Sequence, residues 1–233
     1  MDSFDKERYG KRKNKDLSDS YIKNGKIPIK KAVPLAIQSL IHDPLLLIIQ
    51  YMPGPLGFKL RQIYYHSKLG YMGKGVLIDP GVYISHPRNL YLDDFCYIGS
   101  LTQIYCPEGY VKIGKRCHIK GWILGHGGVI IEDYVGSAGK ILSITDSHYG
   151  GYRMSGPMIP LEQRNLKRGK IIIKKDAFIG QDAIIMPGVT VGEGAIIGPF
   201  CFITNNVKPW HVMFGTPPRI IGIREKVKFK DIE

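Results

Sequence analysis

The segment Ile173–Val207, IKKDAFIGQDAIIMPGVTVGEGAIIGPFCFITNNV, decides the fold. An aliphatic side chain stands at every sixth position: Ile173, Ile179, Ile185, Val191, Ile197 and Ile203. Four residues after each comes a small or slender one, Ala177, Ala183, Val189, Ala195, Cys201 and Val207, and glycine follows the aliphatic residue at Gly180, Gly192 and Gly198. A helix repeats its face every 3.6 residues and a strand every 2, so neither produces this pattern. Six residues make one short strand plus a corner, and three such sides close a triangular coil of about 18 residues. The aliphatic residue fills the interior and the small one fits beneath it near the corner. Such coils must stack, because one alone cannot bury its apolar edges.

Outward from this segment, a second phase-locked run passes through Ile113, Ile119, Gly125, Ile131, Ser137 and Ser143, with Cys117, Ile123, Val129, Val135, Ile141 and Ser147 at the companion position. Looser copies are Ile78/Val82, Leu92/Cys96 and Ile98/Thr102. From Ile78 to Val207, less one interruption, the pattern fills roughly six coils. The expectation is an all-β solenoid with a small helical N-terminal segment and a short C-terminal tail. Residues 1–31 read as a basic flexible arm, 32–72 as a helical cap, 73–207 as the solenoid interrupted at 149–170, and 208–233 as the tail. Cys96, Cys117 and Cys201 fall at the small inward position, where a free thiol behaves as a compact hydrophobe. Cys106 falls in an interruption and has no assigned place.

Composition narrows the class. The chain has 233 residues, 44% of them hydrophobic, which suffices for a real core and excludes wholesale disorder. Its four cysteines include no CxxC pair, which argues against a disulfide scaffold or a zinc ribbon. The N-terminus has no apolar run of signal-peptide type, so a reduced, cytoplasmic protein is expected. The net charge of +13 is spread over an arm with ten Lys/Arg against five Asp/Glu, a group from Arg164 to Lys175, and a run from Arg219 to Lys230. No nucleic-acid-binding signature accompanies it, so solvated faces or an anionic ligand are the readings.

In the N-terminal third, Asp43-Pro44 reads as a helix start, Pro53-Gly54-Pro55 as a break, and Gly70 as a helix end. This segment is either a cap packed on the solenoid or an interfacial anchor. In the second case Leu45–Met52 would sit at a membrane surface, with Lys30, Lys31, Lys59 and Arg61 facing anionic lipid.

Six copies in strict phase resemble the hexapeptide-repeat acetyltransferase family, including the galactoside/maltose and surface-polysaccharide types; the resemblance covers about two thirds of the chain. It implies a left-handed parallel β-helix, a hand that periodicity does not give and that opposes the usual crossover rule. It also implies a homotrimer and acetyl-CoA as donor. The fold serves other functions, so local features must decide.

Three features do. The first is the interruption within SITDSHYGGYRMSGPMIPLEQRNLKRGK, whose Tyr152 and Arg153 would bind the acceptor, as similar loops do in the family. The second is His148, just before that loop, where the family has its general base. Imidazole titrates near neutrality and suits removal of a proton from an attacking hydroxyl or amine. Asp146 either orients it or caps the turn. The third is FITNNVKPWHVMFGTPPRIIGIRE. By the resemblance, Gln181, Pro199, Thr204 and Asn205 border the pantetheine arm, and Arg219 meets a CoA phosphate with its fixed donor fork. Trp210 either stacks on adenine or packs as a cap. The chain departs from the family at Phe178, at Pro199-Phe200-Cys201 and at Pro218; Pro199 offers no N–H. Counting in phase places His118 where galactoside-type enzymes hold an acceptor-binding asparagine. It lies 30 residues from His148, on another face, so the two would meet only across a neighbouring subunit.

The implied activity is acetyl-CoA-dependent O- or N-acetyl transfer to a sugar or surface-glycan precursor, without metal and without a covalent enzyme intermediate. Peripheral contact with a membrane would come through the N-terminus. The alternatives are a non-enzymatic β-helix scaffold and a carbonic-anhydrase-like metal enzyme. The second needs two histidines about five apart, whereas His118, His126 and His148 are spaced 8 and 22.

Overall fold

Six-residue sides fold here into strands of two or three residues joined by tight corners. A computed structural model describes residues 26, 29–146 and 166–226. Three parallel sheets form the faces of a triangular prism, a left-handed parallel β-helix. Face one stacks strands from Tyr71–Met72 to Thr190–Val191, six in all. Face two begins at Leu77–Ile78 and has eight strands, the last being the antiparallel Arg219–Ile223. Face three runs from Tyr83–Ser85 to Phe202–Ile203, again six strands.

Each face presents an inward ladder in parallel register, aliphatic on faces one and three and broken on face two by Ser137, which stands between Ile119 and Ile179. Face one aligns Leu92, Ile113, Ile131, Ile173 and Val191. Face three aligns Ile104, Ile123, Ile141, Ile185 and Ile203. These side chains are buried. Removing one leaves a cavity between two coils, at about 2–5 kcal/mol for Ile→Ala.

The register corrects the phase expected for the middle coils. Face three is filled by Ile123 and Ile141 themselves and not by Gly125 and Ser143. The corners before them are two residues short, Lys120-Gly121 and Ala138-Gly139. They are tight enough that a Cβ on Gly121 would sit 2.2 Å from the Gly139 carbonyl oxygen, and one on Gly139 2.6 Å from that of Ala183. On this face the chain shortens the corner and keeps the aliphatic column, whereas on face two Ser137 takes the inward place at the full six-residue spacing.

The excursion also starts earlier than residue 149. Ser143 ends the coil: its hydroxyl donates to the Leu124 carbonyl and accepts from the Gly127 N–H. From Ile144 the chain leaves as a hairpin, Ile144–Asp146 antiparallel to Leu166–Arg168. Gly169 re-enters the coil by donating to the Ser143 carbonyl (3.0 Å).

Both ends are capped. Helix α1 spans Ile29–Tyr51 and α2 spans Gly54–His66. Helix α1 runs through Asp43-Pro44, where a start was expected. Proline's fixed φ is helical, so the helix continues, losing the N–H bond to the Leu40 carbonyl and crowding the ring against that carbonyl at a cost of about 3 kcal/mol. Gly70 does not end α2, whose C-cap is Ser67. It opens the first coil, donating to the Leu90 carbonyl where a Cβ would lie 2.4 Å from the Arg88 oxygen. Arg61, fully buried, donates to the carbonyls of Ile78 (2.6 Å), Ile49 (3.1 Å) and Met52 (2.7 Å) and so ties both helices to the first coil. Its interfacial role in lipid binding is thereby excluded. At the other end Trp210 is buried over Gly194, a packed cap and not an adenine platform.

All four cysteines are free and buried. Burial pushes the thiols of Cys96, Cys106 and Cys117 up to about 12, and the Tyr65 phenol likewise to about 12. Each is neutral in both states below about pH 8.5, where its contribution is whole; between there and 12 only the unfolded chain ionises, so stability falls. The denaturant midpoint should therefore drop between pH 8 and pH 11, and a thiol reagent should label no cysteine at pH 8 until the protein unfolds. Labelling of native protein would contradict the packing.

Candidate active site

The three edges of the prism are unequal. Between faces one and two, the corner is turned by left-handed residues in a column, Phe95, Arg116, Tyr134, Asp176 and Trp210. Between faces two and three, Leu101, Asp182 and Phe200 do the same. The edge between faces three and one is where the chain adds residues. From one inward position to the next is six residues in the last coils, as from Ile185 to Val191. Across the same edge it is eight from Ile84 to Leu92, nine from Ile104 to Ile113, eight from Ile123 to Ile131, and 32 from Ile141 to Ile173. Every surplus of the solenoid therefore lies on one edge.

That edge carries, coil by coil, the 3₁₀ turn Pro87–Asn89, the insertion Cys106–Tyr110, the corner Gly125–Gly128, the hairpin, the Pro187-Gly188 corner and Thr204–Asn206. Asp146 ends the outgoing hairpin strand, paired with Leu166. His148, Tyr152 and Arg153 follow it and lie outside the described residues. Thr204 and Asn205 are exposed on the same edge, two coils beyond the hairpin, about 10 Å along the axis at the usual strand spacing. Asn205 Nδ2 donates to Thr204 Oγ1 (3.3 Å), and Asn206 Oδ1 accepts from the Thr190 N–H (2.8 Å).

Gln181, Pro199 and Arg219 belong to the edge between faces two and three. Gln181 and Pro199 occupy stacked corners, and the Gln181 carbonyl accepts from the Phe200 N–H at 3.0 Å. Thr216 Oγ1 donates to the Phe200 carbonyl (2.8 Å), which seats the Gly215–Pro218 turn on this column. Arg219 opens the last strand opposite Phe214, exposed. Face three separates these residues from Thr204 and Asn205 within one chain, and Lys140–Asp182 (3.3 Å) lies along its border.

His118 points outward from face two, the face opposite the hairpin edge. Its ring meets Tyr97 edge-on at 4.6 Å, and the Tyr97 hydroxyl donates to Asp79 Oδ2 (2.5 Å), which also accepts from the Ser100 N–H (3.0 Å). The bond to Asp79, and then burial, raise the Tyr97 phenol above its ordinary value. Among the described residues, no three His, Cys, Asp or Glu side chains converge to hold a metal ion, and no helix is long and apolar enough to cross a membrane.

Of the polar residues packed at the hairpin root, sequence reasoning passes over Glu108 and weighs His126 only as a metal ligand and Arg168 only within a basic group. Glu108, its side chain only 7% exposed, pairs with Arg168 (2.8 Å), and His126 occupies the corner of the coil between them. The signal was available. Cys106, Gly125 and Ser143 recur at 18 or 19 residues, so the short interruption at 106–110 shares an edge with the long one.

Residues 170–205 match the family model described as bacterial transferase hexapeptide (six repeats). The chain is 32% identical over 146 residues to a dTDP-4-amino-4,6-dideoxy-D-glucose acyltransferase of Escherichia coli, covering 61% of this chain and 73% of that one. It is 37% identical over 168 residues to a chloramphenicol acetyltransferase of Klebsiella aerogenes, covering 60% and 78%. Among solved structures, the N-acyltransferase AntD of Bacillus cereus, in complex with dTDP and 3-hydroxybutyryl-CoA, superposes with a TM-score of 0.65 at 28% identity, covering 71% of this chain and 88% of that one.

The strand that Arg219 opens is held at its far end by Arg224. That guanidinium reaches Asp176 Oδ2 (2.8 Å) and the Asp176 carbonyl (3.2 Å) and lies 5.8 Å from the Trp210 ring centre. Arg224→Ala should cost about 1–3 kcal/mol, read as a lower urea midpoint at unchanged slope. An unmoved midpoint would mean that the tail is not anchored there.

Proposed function

The chain belongs to the hexapeptide-repeat acyltransferases, and from that premise we propose how its edges divide the reaction. It is an acyl-CoA-dependent enzyme. The donor is acetyl-CoA, and the acceptor is the hydroxyl or amine of a sugar or surface-glycan precursor. The observation that carries this reading is the concentration of every surplus residue on one edge, where the hairpin leading to His148 stands in column with Thr204 and Asn205.

His148 takes the proton of the attacking hydroxyl or amine, and the acceptor oxygen or nitrogen bonds to the thioester carbonyl carbon. The carbon–sulfur bond breaks, and the CoA sulfur leaves with the proton returned by the imidazolium. Asp146, two residues before, orients that ring. Backbone N–H groups near the hairpin root oppose the charge that develops on the carbonyl oxygen. No cysteine competes as nucleophile, because burial raises all four thiols. Tyr152 and Arg153 engage the acceptor. Thr204, Asn205, Gln181 and the Pro199 carbonyl border the pantetheine arm, and Arg219 pairs with a CoA phosphate.

These groups lie on two edges of one prism, which supports assembly as a homotrimer. If copies sit side by side about a threefold axis parallel to the coils, the hairpin edge of one meets the Gln181–Pro199 edge of the next, and the ring closes. The neighbour's His118, on the adjoining face, then reaches the acceptor. Peripheral contact with a cytoplasmic membrane surface is the second part of the proposal. Ile29, Val33, Ile37, Leu45, Leu47 and Ile48 on α1 are all about half exposed or more, beside an arm carrying ten Lys/Arg against five Asp/Glu.

Calorimetric titration and steady-state turnover test the chemistry together. His148→Ala should lower turnover by about 10²–10⁴-fold with CoA affinity kept, and Arg219→Ala should weaken CoA binding with assembly kept. Turnover undiminished in the first variant, or affinity undiminished in the second, removes that residue from its role. Full-length protein should float with anionic vesicles and not with neutral ones; recovery in the soluble fraction from both overturns the membrane contact.

A further inference from the structure

Two insertions on the hairpin edge are built into each other. The short one folds over the corner of the following coil: a Cβ on Gly109 would lie 2.1 Å from the Gly125 carbonyl oxygen and 2.6 Å from that of His126. That corner is almost free of side chains for the same reason. A Cβ on Gly127 would meet the Ser143 oxygen at 2.6 Å and the Gly169 nitrogen at 3.0 Å, and one on Gly128 would meet the Tyr110 ring at 3.1 Å. The bare corner lets Arg168 of the hairpin pass across a whole coil and reach Glu108 Oε2 at 2.8 Å. Glu108 is nearly buried, and the Arg168 side chain is a quarter exposed.

We infer that Glu108 and Arg168 are positioning residues for the transfer reaction, fixing the place of strand Ile144–Asp146, from which the chain continues to His148. Arg168 is the register partner of Ile144, so anchoring one arm at its root anchors the other. The hairpin pairs only three residues on each strand, and a ribbon of that length has little stability of its own. The contact is an ion pair from one guanidinium nitrogen, Arg168 Nη2, to a nearly buried carboxylate oxygen, so it fixes the hairpin root against the short insertion. The two residues act through the strand. The inference rests on the reading of His148 as general base.

The test compares Glu108→Gln, Arg168→Lys and His148→Ala in the full chain, by hydrogen exchange and by turnover with acetyl-CoA and an accepted sugar. Glu108→Gln should speed exchange at Ile144–Asp146 and Leu166–Arg168 while the coil strands keep their protection. Its kcat should fall by about 10- to 100-fold at unchanged KM for acetyl-CoA. Arg168→Lys, which keeps the charge but changes the reach and shape of the cation, should fall between wild type and Glu108→Gln, and it carries the same readouts if Glu108→Gln does not fold. Unchanged exchange at the hairpin overturns the inference. So does a general loss of coil protection, which would make the pair a strut of the prism. Full turnover in Glu108→Gln beside an inactive His148→Ala overturns the inference alone; full turnover in His148→Ala overturns the base assignment, and hairpin exchange then still decides whether the pair anchors that strand.

Discussion

The interior ladder governs everything else in this molecule. Each coil satisfies its backbone groups by bonding to the coils before and after it, and each inward isoleucine or valine is covered only when its counterparts one coil away stand in register. A slip of one residue would turn the aliphatic column outward and expose it, so the register is held at every level of the stack. On face three, where strict phase would bring Gly125 and Ser143 inward, the corner gives way and the column does not. The shortened corners at Gly121 and Gly139 keep Ile123 and Ile141 on the column.

The same constraint dictates where additional chain is tolerated. A residue inserted within a strand would shift every later partner, whereas residues inserted at a corner leave the column intact if the chain returns to its point of departure. An antiparallel hairpin does this, and Ser143 and Gly169 mark its two ends with a direct hydrogen bond. Insertions on one edge stack above one another, so that edge gathers side chains from distant parts of the sequence. A solenoid also has two open ends, and an uncovered end would offer unpaired strand edges to other chains. Arg61 fastens the helices over the first coil, and Trp210 with Arg224 fastens the returning tail over the last.

The chemistry inherits this geometry. Of the residues assigned to the proposed reaction, Thr204 and Asn205 share the hairpin edge while Gln181, Pro199 and Arg219 fall on the next, because residues six apart occupy successive faces. Within a single prism a face separates the two edges, and the proposed trimer would bring them together. The free thiols, raised by burial, offer no nucleophile, which accords with the direct transfer proposed above.

The six-residue period was legible in Ile173–Ile203 because it is a local property: each side of the coil carries its own strand, corner and inward residue. For the same reason the solenoid, the inward places of Cys96, Cys117 and Cys201, and the long excursion before Ile171 were all readable from the chain. The pairing of Glu108 with Arg168 was not, since it joins residues 60 apart whose meeting depends on the summed length of every corner between them. The true phase of Ile123 and Ile141 was hidden because an exact six-residue count reads straight through a corner that is two residues short. Helix α1 passing Pro44, and Arg61 turning from a surface cation into a buried clamp on three carbonyls, were likewise settled by packing: they depend on what the rest of the fold brings alongside, which no local pattern encodes.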